Sequence, residues 1–294
     1  MITGILSIDK PRGPTSHDVV ARTRRIVGQR RVGHTGTLDP LATGVLVVCL
    51  GKATRVAEYV AAAPKAYQAR VRFGVTTDSS DAEGQVLVSR PWEGLSLAAI
   101  EAVLPDFVGS IEQIPPMYSA LKHKGIPLYR LARRGVTVER KPRRVQVYSI
   151  EIVDWQPPDL VLDVRCSKGT YIRSLAHDLG KTLGPGAHLA GLVRTAVGRF
   201  HLSDSVPLGT LEAEASEGTW QRHLLPIESG LEGLPSIVVD ALTARCIGYG
   251  QVVGLPAAPS PQLCAYDETC RLIAILEPDA DSDLWKPHKV FVPS

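Results

Sequence analysis

A chain of 294 residues with 44% hydrophobic and 21% charged side chains has enough apolar material for one large domain, or a large and a small one, each built on a core. No apolar run approaches the length needed to cross a bilayer, Asp9 and Lys10 stand where a secretion signal needs apolar residues, and the five cysteines form no Cys-x-x-Cys pair, so the composition argues against a membrane span, a disulfide framework and a zinc site and predicts a cytoplasmic protein with mostly buried thiols. The net charge of +3 conceals a segregation: +11 over residues 1–200 and −8 over residues 201–294.

In chain order, a strand over Gly4–Asp9 leads into a turn at Pro11, Gly13 and Pro14. Thr15 and Asp18 have capping-box spacing, and Val19, Thr23, Ile26 and Val27 recur at helical intervals while Arg22 and Arg25 point away, predicting a helix that ends near Gly28. The segment Gly33–Gly44 follows, with three glycines, no lysine and one carboxylate, Asp39, ahead of the apolar strand Val45–Leu50. Asp39 before Pro40 reads locally as a helix N-cap with proline at the first helical position, or as a carboxylate held at a sheet wall and open to a ligand. Tyr67, Ala69, Val71 and Phe73 alternate with Gln68, Arg70 and Arg72, a strand with one buried face. Asp78–Gly84 has the wrong acidic spacing for a calcium loop and reads as a turn, and Ser96–Leu104 reads as a short capped helix. Gly51-Lys52-Ala53 lacks the upstream glycine and following hydroxyl of a phosphate-cradling loop.

Tyr118–Tyr148 carries nine basic residues against Glu139 alone, interrupted by Gly125, Pro127, Gly135 and Pro142, the pattern of an exposed arm that attracts a polyanion. Strands over Val145–Val153 and Leu160–Val164, a turn at Ser167–Gly169 and a helix over Tyr171–Leu183 come next. Past Arg199 the chain turns acidic, with a boundary at Gly230–Pro235 and short strands at Ile237–Val239, Gln251–Leu255, Leu263–Tyr266 and Leu272–Leu276 that could close a small barrel. Strands and helices mix without strict alternation, which predicts an α+β fold.

Five segments, in order over about the first 200 residues, resemble the TruB family of tRNA pseudouridine synthases. Leu6–Pro11 resembles its amino-terminal strand and Lys-Pro turn, Gly33–Gly44 its signature loop, Lys65-Ala66-Tyr67 its tyrosine motif, Gly169–Leu175 its arginine motif and Leu192-Val193-Arg194-Thr195 its late leucine motif. The resemblance implies a pseudouridine synthase fold, with a central mixed, largely antiparallel sheet flanked by helices and loops over residues 1–230 and an RNA-gripping insertion at about 118–148. It also implies a small PUA-like β-barrel domain over 235–294. The implied activity is isomerisation of uridine 55 in the tRNA T-loop by base flipping. That reaction breaks C1′–N1 and joins C5 to C1′, consumes nothing, and therefore calls for no metal or cofactor. The implied partner is the tRNA T-arm, met by a monomer with no obligate protein partner and no membrane.

By resemblance Asp39 is the reacting carboxylate, through attack at C6, addition at C1′ or deprotonation of C2′, and these routes remain open. Arg173 would keep it ionised, against the reading of a surface arginine in a helix's first turn. Tyr67 would stack on the uracil and handle the C5 proton, against a core reading. Tyr171 and Leu192 would line the uracil pocket, His34 would fill the space of the extruded base, and Lys10 would be a phosphate contact or a turn residue. Lys122, Lys124, Arg143 and Arg144 would meet the RNA backbone. Two rivals remain: a non-catalytic tRNA-folding chaperone, for which Asp39 is expendable, and a synthase directed to another RNA.

Overall fold

The computed structural model of the protein describes residues 1–256 and 260–291, so residues 257–259 and 292–294 of the expected 235–294 unit lie outside the described residues. Strand β1 (Gly4–Lys10) ends in a turn built around a buried ammonium: Lys10 Nζ donates to the carbonyls of Pro11 at 2.9 Å and Pro14 at 2.8 Å. Helix α1 (Ser16–Val27) starts at the expected capping box, with Thr15 Oγ1 accepting from Asp18 N and the Asp18 carboxylate from Thr15 N. It buries Val19, Val20, Thr23 and Val27 and stops at Gly28, whose φ of +64° an alanine would resist. Strands β2 (Val32–His34) and β3 (Thr43–Leu50) bracket the signature loop, and α2 (Ala57–Ala62) leads into β4 (Lys65–Phe73). A side hairpin, β5 (Val75–Thr77) with β6 (Val86–Ser89), precedes α3 (Leu97–Val103), capped by Ser96, and β7 (Gly109–Gln113).

The basic arm holds only a minimal hairpin, β8 (Lys122–His123) with β9 (Ile126–Pro127), and the single turn α4 (Leu128–Ala132), as its glycines and prolines require. It returns into β10 (Arg143–Gln156), paired with β11 (Asp159–Cys166). Then come α5 (Ile172–Leu183), β12 (Ala187–Val197), β13 (Phe200–His201), β14 (Val206–Pro207) and α6 (Leu208–Glu217). The main sheet runs β14-β1-β3-β12-β4-β11-β10-β7, antiparallel except for the β1/β14 and β3/β12 pairs, which is the mixed, largely antiparallel sheet expected. The adjacency β3-β12-β4 builds the site. It sets Gly44 opposite Arg194 and Arg194 opposite Tyr67, so three motifs far apart in sequence share neighbouring strands. Helices α3 and α5 cover one face, burying Ala69, Val71, Phe73, Ile100, Leu175 and Leu179.

The last unit contains β15 (Ser236–Val238), α7 (Ala241–Gly248), β16 (Leu263–Tyr266), β17 (Leu272–Pro278) and β18 (Trp285–Val290). The expected strand over Gln251–Leu255 is absent: Gly254 interrupts the run and Pro256 ends it, and only Val253 bridges, to Trp285. The sheet is the open path β15-β16-β17-β18, and among the described residues no β15–β18 pairing closes it into a barrel. Helix α7 and strand β18 were not anticipated, the latter because Lys286, Pro287, His288 and Lys289 hide its alternation.

One face of this sheet packs under α7 on Ile247, Leu263 and Ala265. The other joins the core beneath the main sheet, where Cys264, Leu272, Ile275 and Phe291 cluster with Ile5, Val45, Val47 and Val56. Lys289 reinforces the join, donating to the Arg55 carbonyl and the Glu58 carboxylate. The shared core makes Ile275→Ala a test of the join. Loss of a fully buried side chain there is expected to destabilise the whole chain by about 2–5 kcal/mol in denaturant melting. No helix among the described residues is long and apolar enough to cross a membrane.

Candidate active site

A cavity of about 320 Å³ opens where the signature loop, β12 and β4 meet the start of α5, and Asp39, Tyr67, Tyr171, Arg173, Leu192 and Arg194 line it. Five of these were expected from the sequence to act together. Asp39 is no helix cap: its carbonyl accepts from Ala42 N at 3.1 Å in a turn, and the chain enters β3 at Thr43, where pairing with β1 leaves no room for a helix. The residue before it is pinned from α1, since Ser16 Oγ donates to the Leu38 carbonyl at 2.9 Å and accepts from Leu38 N at 2.7 Å. The loop's aim is thus fixed by the helix at whose first position Ser16 stands.

Arg173, 5% exposed, is not a surface arginine. Its Nη2 lies 3.1 Å from Asp39 Oδ2 and donates to the Tyr118 carbonyl at 2.6 Å, while Nη1 reaches Asp81 Oδ2 and the Ser79 carbonyl, each at 3.3 Å. One guanidinium therefore joins two carboxylates. The Asp39 side chain keeps 41% of its surface open, and it lines the cavity. Burial pushes its carboxyl above the ordinary range; Arg173 is the chief opposing influence, and Asp81 adds to the rise. The arginine thus limits the rise rather than reversing it.

Asp81 was missed, because the loop Asp78–Gly84 reads as a plain turn. It is a turn that delivers a buried carboxylate, 4% exposed, which accepts from Ser79 Oγ at 2.6 Å and Glu83 N at 3.1 Å.

Tyr67 and Tyr171 face the cavity with their phenols pushed up by burial. Gln113 fixes Tyr171 at the mouth of α5, accepting from its N–H at 3.0 Å and donating to its carbonyl at 3.3 Å. Lys65, also missed, is buried, donates to the carbonyls of Ala61 and Ala63, and is lowered by burial to about 8. Lys10 is buried in the turn, where its ammonium donates to the carbonyls of Pro11 and Pro14. His34 lies outside the cavity lining, its ring edge-on to His17 at 5.2 Å, and burial lowers it to about 4. Lys122, Lys124, Arg143 and Arg144 are exposed on the arm, whose base contributes Ser119 and Ala120 to the cavity wall.

Residues 24–172 match the family model described as TruB family pseudouridylate synthase (N terminal domain), and residues 173–232 match that of the tRNA pseudouridylate synthase B C-terminal domain. The chain belongs to the TruB family. It is similar to "tRNA pseudouridine synthase B" of Dehalococcoides mccartyi strain BAV1, at 46% identity over 98% of this chain and 96% of that protein. Similarity to the protein of the same name from Dechloromonas aromatica strain RCB is 47%, with coverage of 98% and 96%. Among solved structures it is similar to a chain of a Cbf5-Nop10-Gar1 complex, with a TM-score of 0.77 and 28% identity over 99% of this chain and 85% of that one. The TruB chain is a pseudouridine synthase, an isomerase, and the sheet described above is the TruB-type fold.

Proposed function

We propose that this synthase isomerises uridine 55 in the T-loop of tRNA, with Asp39 as the reacting group. The observation that carries the reading is the Asp39 carboxylate, open to a cavity and held 3.1 Å from a buried arginine, in a chain whose relatives are named for tRNA. A flipped uridine would lie between Tyr67 and Leu192 with Tyr171 beside it, and His34, neutral at physiological pH, would stand where the base left the loop. Lys122, Lys124, Arg143 and Arg144 would hold phosphates, and the open sheet after residue 235 would take the place of a PUA-like unit with little phosphate contact, given its surplus of negative charge. The protein would act as a monomer in the cytoplasm.

Release of tritium from C5 of the target uridine in an isolated T-arm hairpin tests the assignment, because the product is an isomer with unchanged mass. Stoichiometric release is expected. Binding without release would leave the chaperone reading, and release from another RNA alone would redirect the substrate. Neutralising the four arm cations is expected to flatten the dependence of log affinity on log salt by up to about 3 units, with turnover of bound RNA unchanged. Tyr67→Phe is expected to preserve folding and RNA affinity while depressing product formation by about 10²-fold, the scale of a lost proton-transfer group. Normal turnover would reduce Tyr67 to a packing residue.

A further inference from the structure

Arg194 in β12 is 2% exposed, yet among the described residues no carboxylate lies within ion-pairing distance of it, and its donors go to main-chain carbonyls. Nε donates to Val45 at 2.7 Å, Nη2 to Gly36 at 3.0 Å and Nη1 to Thr37 at 3.4 Å. Gly36 and Thr37 precede Asp39 and Val45 follows it, so one planar guanidinium clips together the two limbs of the loop that carries the carboxylate. The clip lies where the sheet stops supporting that loop. Strands β12 and β3 pair only at Val193/Thr43 and Arg194/Gly44, and the Arg194 side chain takes the carbonyl of the next residue, Val45. Gly44, at φ +95°, lets the backbones close this far, because a Cβ there would overlap the Arg194 carbonyl.

A buried cation without a counter-ion is costly to hold, and a neutral amide could tie a carbonyl without that desolvation. The planar fork explains part of the choice, since its three nitrogens fan to three carbonyls on both limbs in fixed directions that a compact lysine ammonium does not reproduce. The charge explains the rest: Arg194 lines the cavity beside Asp39 and Tyr67, and its field favours the anionic forms of both.

We infer that Arg194 is a positioning residue for the isomerisation, holding the two limbs of the signature loop so that Asp39 meets the substrate. The inference rests on Asp39 as the reacting group, and its test reads the loop as well as the product. Arg194→Lys keeps the charge and loses the clip, whereas Arg194→Met loses both. In the Lys variant, amide exchange at Leu38 and Ala42 is expected to rise by about tenfold or more, and kcat on the T-arm hairpin to fall by about 10²-fold with KM and RNA affinity within about threefold, the size expected of a misplacement near 1 Å. The acid limb of its pH profile is expected to stay in place. In the Met variant that limb is expected to move to higher pH as well.

Unchanged exchange with unchanged kcat overturns the inference, as does a loss of RNA affinity that matches the loss of kcat, which would make Arg194 a phosphate contact. If the Met variant does not fold, the Lys variant decides; failure of both to fold would make Arg194 a core post and end the proposal. A wild-type protein that releases no tritium, with the loop loosened in the Lys variant, would instead sink the functional reading and leave the clip standing.

Discussion

Asp39→Asn is expected to lower the single-turnover rate of product formation by at least about 10⁴-fold while changing the RNA dissociation constant by less than about threefold. The amide is nearly isosteric, and among the described residues the only ion-pair contact it removes is the one to Arg173, which keeps Asp81 and the Ser79 and Tyr118 carbonyls. The cavity should therefore keep its shape. What disappears is the anionic oxygen, with the nucleophilicity and basicity needed by all three routes, whether attack on the base, addition at C1′ or removal of the C2′ proton. Stability should not fall. A carboxyl raised by burial in the folded state binds its proton more tightly there than in the unfolded chain, so its contribution is most favourable at low pH and declines as pH rises through the folded value. At neutral pH the ionised Asp39 weighs against folding, and the neutral amide is expected to leave the melting temperature equal or higher. For the same reason the wild-type rate should decline on the acid side with a midpoint above the ordinary carboxylate range. A variant that still makes product would remove Asp39 from the chemistry and with it the proposed mechanism.

What could be read from the chain alone was what depends on short spacing. The Thr15–Asp18 box, the Tyr67–Phe73 alternation and the Ser96 cap are set by residues within a turn or two of one another, and each forms as expected. Asp39 shows the limit of such reasoning. An Asp-Pro pair favours a helix start, but pairing of β3 with β1 and β12 draws the following residues into a strand. Asp81 and Arg194 escaped for the opposite reason: neither has a local signature, because the partner of one lies 92 residues away on α5 and those of the other roughly 150 residues upstream in the signature loop and β3. Lys10 was ambiguous because charge in a sequence suggests solvent, whereas two proline carbonyls can hold an ammonium in the interior. In the acidic unit, the polar residues of β18 concealed a strand whose buried members, Trp285 among them, complete the sheet.

Arg173→Met is expected to produce the second large effect, and its origin is the charge count in the cavity wall. The guanidinium separates Asp39 from Asp81, both directed at it within 3.3 Å, and removing it leaves two carboxylates in the cavity wall, one of them buried, with no cation between them. Breaking a buried pair by removing one partner typically costs about 3–5 kcal/mol, and melting should report a loss on that scale. Product formation should fall by about 10³-fold, with RNA affinity within about threefold because the lost charge faces Asp39 and Asp81 rather than a phosphate. Losing the chief influence that lowers the Asp39 carboxyl should move the acid limb of any residual activity to higher pH. Asp81→Asn should move the limb the other way, because Asp81 raises that same carboxyl, even as looser anchoring of Arg173 slows turnover. Opposite displacements from the two substitutions are hard to obtain unless Arg173 and Asp81 act in opposite senses on the Asp39 carboxyl. Combining the substitutions should recover part of the stability lost in Arg173→Met, since only one buried carboxylate then lacks its cation. Equal losses of affinity and turnover in Arg173→Met, or limbs displaced in the same direction, would mean that the arginine serves the RNA backbone and that Asp39 is tuned by something else.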